Sequence, residues 1–151
     1  MYLTILQFIA VLMAALLMGT SFCHVLEMPA KMKVEGLRWM IFQHTLYASF
    51  ATVGGFIEIG AIITSGVLAF FMRNAGATFW LTLIAAVSQA LAFFGIWLPI
   101  TNAVNRQTAK WTEQSLPHDW MRWRRKWEYS HAARFALQFS ALCALLASLL
   151  V

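Results

Sequence analysis

Four stretches of this chain, at about residues 3–25, 40–72, 78–100 and 130–151, are almost continuously apolar. Each meets the length of about 20 residues that a helix needs to cross a hydrocarbon core about 30 Å thick. The second is long enough to tilt or protrude. A backbone in lipid must satisfy its own hydrogen bonds, so such stretches fold as helices. Composition agrees: 61% of the 151 residues are hydrophobic and only 11% charged, against about 45–50% and about 25% in soluble domains. The predicted fold is all-α, an integral membrane four-helix bundle forming one domain over residues 1–151. No repeat or low-complexity tract divides it. The apolar N-terminus lacks a basic leader and is too long for a signal-peptide core, so we expect it to be retained as a span.

The net charge of +5 matters less than its placement. Every Lys and Arg except Arg73 lies in the first loop, in the third loop or, as Arg134, at the start of the fourth span. Bases outside the apolar runs are the pattern of a membrane protein, and nucleic acid is not needed to explain them. The positive-inside rule puts these loops in the cytoplasm and both termini outside it. Cys23 and Cys143 lie at different expected depths, so no disulfide is expected between them.

The connections differ. Residues 73–77 form a tight turn, and 28–39 a medium loop after a first helix that should stop before Pro29. Residues 101–129 form a long loop rich in Trp and Arg between helices three and four. Trp120, Trp123, Trp127, His131 and Arg134 recur at helical steps of three and four, so this lead-in has a common face. Its tryptophans and cations suit the headgroup level.

The four-span layout gathers polar residues at one end. His24 and Glu27 close helix one, Gln43 and His44 open helix two, Asn102 and Asn105 follow helix three, and Trp127, Glu128, His131 and Arg134 open helix four. Ionisable groups at membrane depth are candidates for function. Glu58 stands alone mid-helix, about 20 Å below His44 at ~1.5 Å per residue, with Gln89 as an expected partner. Gly54, Gly55 and Gly60 around it would let helices approach closely. His24, His44 and His131 could ligate a metal or a haem iron, although no metal-ligand spacing supports it and no cofactor is favoured. His118 is expected to be solvated.

Three segments together, HVLEMPAK at 24–31, WLPITNAVN at 97–105 and WRRKWEYSHAARF at 123–135, resemble the anthrone oxygenase-like family of four-helix membrane proteins. The resemblance covers essentially the whole chain. It implies, for some fungal members, oxygenation of a polycyclic anthrone to an anthraquinone without an obvious cofactor, and a bacterial inner membrane as the setting here. Its matching positions are Asn102 or Asn105, Trp127, His131 and Arg134. On that reading His131 removes the acidic CH proton, Arg134 and an asparagine amide stabilise the oxyanion, and Trp127 with Phe135 forms a flat wall. His24, His44, Glu27 and Glu58 complete the expected binding residues. The alternatives are a non-catalytic protein binding haem, metal, quinone or lipid, and an accessory subunit of a larger membrane complex or homo-oligomer.

Overall fold

The structure is a computed structural model that describes residues 1–151, the side chains of Ser49 and Ala51 excepted. Among the described residues there is no β-strand. Helix α1 spans Tyr2–Lys31, α2 Gly36–Thr45, α3 Ala48–Phe71 and α4 Ala77–Ala90. A π-helical segment, Leu91–Thr101, carries α4 without a break into α5, Asn102–Thr108, and α6 spans Trp120–Ser148. Neighbouring contacts run from α1 to α3, from α3 to α4, from α4 to α6 and from α6 back to α1.

Four boundaries differ from the sequence expectation, each for a tertiary or backbone reason. Helix α1 continues through Pro29 to Lys31. The Arg124 guanidinium secures that end by donating to the carbonyls of Lys31 (3.1 Å), Val34 (2.6 Å) and Met32 (2.9 Å), at and just beyond the helix terminus, where carbonyls lack intrahelical partners. The expected second span is two helices, broken at Leu46–Tyr47 although neither glycine nor proline stands there. The Tyr47 hydroxyl instead reaches Glu27 Oε2 at 2.6 Å, and its ring packs 5.2 Å from that of Trp127. The third helix is longer than expected and widens around Pro99. Proline cannot donate to the preceding turn and crowds its carbonyl, which a wider turn relieves. The long Trp/Arg-rich loop shrinks to residues 109–119, because WMRWRRKWEYSHAARF is already α6.

Three helical stretches are long and apolar enough to cross a membrane: Tyr2–Lys31, Thr52–Phe71 and Ala77–Thr108. Helix α6 falls short of them because it carries Arg124, Glu128, His131, Arg134 and Gln138, all of them buried. Its outer side shows Met121, Tyr129, Phe139 and Leu146. The other helices repeat this inversion: Phe8, Phe56, Trp80 and Phe94 are more than half exposed, while Gln89 and Glu58 are inside. A surface this apolar around a polar interior is the reverse of a water-soluble fold.

The interior has two parts. Near the turn joining α3 to α4, Ala10, Ala14, Leu68, Ala85, Ala141, Ala144 and Leu145 pack as a core of small side chains. Gly76 makes that turn with φ 56°, a conformation that favours glycine. At the other end Trp39, Met40, Val104, Trp111 and Trp127 form an aromatic core. Gly36 begins α2 against it, where a Cβ would fall 2.8 Å from the Trp120 ring.

Candidate functional site

Above the alanine core the helices part around a cavity of about 390 Å³. Helix α1 supplies Leu17, Thr20, Ser21 and His24, a stripe set by steps of three and four. The same spacing brings Trp127, His131 and Arg134 of the neighbouring helix α6 to the wall beside it. Gln43 and His44 come from α2, Glu58 from α3, Trp97 from the π-helical segment and Asn105 from α5.

At one side of the cavity Arg134 Nη2 donates to both carboxylate oxygens of Glu58 at 2.8 Å. Gln138, one turn along α6, donates to Glu58 Oε1 at 3.5 Å. This corrects the expected pairing, since Gln89 bonds Ser65 instead. Two charges removed from water hold together only when each satisfies the other.

A second charged cluster lies under Trp127. Lys31 is buried, with Nζ 3.1 Å from Glu128 Oε2, 3.4 Å from Glu27 Oε2 and 3.5 Å from His24 Nδ1. It also sits 4.7 Å from the Trp127 ring centroid, a cation–π contact. The charge of Lys31, 3.1 Å from Oε2, is what holds the buried Glu128 carboxylate. Tyr47 lies before the Thr52–Phe71 span. Burial, aided by its bond to Glu27, pushes its phenol up. It therefore remains a donor to Glu27 across the physiological range.

Aromatic rings build the walls. His24 and His131 lie 4.1 Å apart between centroids, and Trp127 is 4.3 Å from His131 and 4.9 Å from His24. Trp127 Nε1 donates to Asn105 Oδ1 at 2.8 Å, which fixes both groups. Three buried polar atoms of cavity-lining residues, Gln43 Nε2, His131 Nδ1 and Arg134 Nε, have no hydrogen-bond partner among the described residues. Leaving such atoms unpaired costs about 1–3 kcal/mol each, so these side chains carry hydrogen-bonding capacity that the protein itself does not use.

The cavity therefore unites His24, His44, Glu58, Asn105, Trp127, His131 and Arg134. Asn102, Glu27 and Phe135, also named as site residues from the sequence, do not line it. Asn102 is half-buried on α5, Glu27 stands at the edge with Lys31 and Tyr47, and Phe135 stacks on Phe22 at 5.3 Å away from the cavity. His44 is exposed, with Nε2 2.9 Å from the Thr108 carbonyl. Among the described residues no three His, Cys, Asp or Glu side chains are grouped to hold a metal ion, so His24, His44 and His131 do not form a ligand set. Cys23 and Cys143 are free thiols.

Sequence reasoning missed the roles of Lys31, Arg124, Tyr47, Trp97 and Gln138. Two carried a usable signal: Lys31 is four residues after Glu27, and Gln138 is four after Arg134, which places each on its partner's face. Nothing local marked Tyr47 or Arg124. No family model matches this chain, and no curated protein or solved structure matches it either.

Proposed function

We propose that the chain is a four-span membrane bundle, α6 being the fourth span, with its charged loops in the cytoplasm and both termini outside. On this reading the cavity binds a flat, hydrophobic, carbonyl-bearing aromatic molecule of the anthrone or quinone type and oxidises it with dioxygen. One observation carries this best: a cavity walled by Trp97, Trp127 and two histidine rings is also lined by Gln43, His131 and Arg134, each with a polar atom that has no partner among the described residues. Its volume lies within the range of about 300–1,000 Å³ usual for small-molecule sites. The inverted polarity of α6 supports its place in the membrane, since a charged face needs the helices around it as shelter.

In the proposed reaction His131 accepts the acidic CH proton of an anthrone. The developing oxyanion takes hydrogen bonds from Gln43 Nε2 and from the Asn105 amide, whose oxygen Trp127 already occupies. Arg134 supplies positive charge at one remove, because Glu58 engages its Nη2. The carbanion passes electrons to dioxygen and a C–O bond forms. The resulting hydroperoxide loses water to give the second ring carbonyl. One anthrone and one dioxygen thus yield one anthraquinone and one water, with no further reductant.

The test uses protein purified in detergent, with anthraquinone quenching of tryptophan fluorescence for binding and oxygen uptake on anthrone for turnover. His131→Ala should lower the turnover rate about 10²–10⁴-fold and leave anthraquinone binding within a few-fold. Full turnover in that variant would remove His131 as the base. Absence of saturable quenching in the unaltered protein would remove both.

A further inference from the structure

Beside the main cavity lies a second hollow of about 260 Å³, walled by Thr20 of α1 and by Phe50, Val53 and Gly54 of α3. Thr20, Phe50 and Gly54 also wall the main cavity, whereas Val53 belongs to the hollow alone. The two spaces therefore share a boundary between α1 and α3. Outward, Phe50 is 42% and Val53 61% exposed, and both belong to the apolar outer surface described above. The glycines here are not close-packing positions, as the sequence had suggested. A Cβ added at Gly54 or Gly55 would meet nothing within 4 Å, whereas one at Gly60 would fall 2.7 Å from the Met13 terminal methyl. Residues 54 and 55 border open space, and only Gly60 borders a packed neighbour.

The chemistry changes along this line. Among the described residues the hollow has no charged wall, and the hydroxyl of Thr20 already donates to the Leu17 carbonyl at 2.7 Å. The main cavity beyond it is lined by the polar side chains of Gln43, His131, Glu58 and Arg134. A path that is apolar at the threshold and polar inside suits an uncharged molecule arriving from hydrocarbon. It does not suit one that must keep its hydration until it binds.

We infer that this hollow is a lateral doorway, through which the cavity receives a flat, uncharged hydrophobe dissolved in the bilayer. The inference rests on the reading of the main cavity as a binding site and adds the phase from which the ligand comes. A membrane-dissolved ring system would slide between α1 and α3 past Phe50 and Val53, and then turn its carbonyl oxygen toward Gln43.

The test follows tryptophan quenching by a membrane-partitioned naphthoquinone, mixed rapidly with the full chain in lipid nanodiscs. Val53→Phe fills the hollow without touching the main cavity, and at an exposed position it should not disturb folding. Ala109→Phe, at an exposed cavity-lining position on the polar end, obstructs the opposite approach. The doorway predicts that Val53→Phe slows association and dissociation together by about tenfold or more, leaving the dissociation constant unchanged. Unchanged association in Val53→Phe overturns the doorway, whatever Ala109→Phe does. If the unaltered protein shows no saturable quenching, the binding reading itself falls and the doorway falls with it. If it binds but Val53→Phe has no effect, only the doorway is lost.

Discussion

The two ends of this helical assembly solve opposite problems. Around Ala10, Ala14, Ala85, Ala141 and Ala144 the helices meet through methyl groups, with no charge between them. Around Trp127 they meet through indole and imidazole rings and two charged clusters, and they leave a cavity. Small side chains let backbones approach and gain dispersion energy where lipid offers no hydrophobic drive. Bulky rings and paired charges hold the helices apart, and that separation makes room for a ligand. Stability and site are thus divided along the same four stretches of chain.

The contrast can be broken most sharply at Glu58. Arg134→Ala leaves that carboxylate buried without its cation, which should cost about 3–5 kcal/mol. Replacing both members with leucine should recover most of the loss, because no charge then remains uncompensated. Reversible unfolding in mixed micelles would read both changes. Equal losses in the single and double variants would show that the cost does not come from an uncompensated buried charge.

A smaller effect is expected in the alanine core. Ala141→Leu adds three carbons where the side chain is completely buried, and overpacking of this kind costs about 1–3 kcal/mol. The same unfolding assay applies, and a stabilised variant would show that this end is less tightly packed than its burial implies. The smallest effect belongs to Asn105→Ala, which strands Trp127 Nε1 beside the cavity. Water there can replace the lost acceptor, so the cost should stay near about 1 kcal/mol. A loss as large as that of Arg134→Ala would mean the cavity is dry.

The polar end was legible in the sequence to a useful degree. His24, Asn105, Trp127, His131 and Arg134 were all placed at one end from span order alone, and all line the cavity. Helical spacing put Trp127, His131 and Arg134 on one face. The apolar runs of α1, α3 and the long third helix were equally plain, because hydropathy is a sum over neighbours in sequence. The fourth run was read as comparable to the others, yet its sheltered face carries Arg134, His131 and Gln138.

Tyr47 and Arg124 show why the rest was hidden. Each acts on a residue distant in sequence: Tyr47 on Glu27, 20 positions away, and Arg124 on carbonyls 90 to 93 positions away. They stand at a helix break at 46–47 and at a helix end carried past Pro29, both of which run against the local signals. Propensity gives way when a tertiary contact outweighs it.

By itself the sequence determined that this chain is helical, that most of it belongs in an apolar solvent, and that histidine, asparagine and tryptophan gather at one end. Hydropathy and helical period suffice for that, since both are properties of neighbouring residues. Only the tertiary structure decided that Glu58 meets Arg134 across 76 residues, that Lys31 is buried between two carboxylates, and that glycines 54 and 55 face open space. Those outcomes depend on how each helix is rotated about its axis against the others, and that rotation is fixed by the packing of all of them at once.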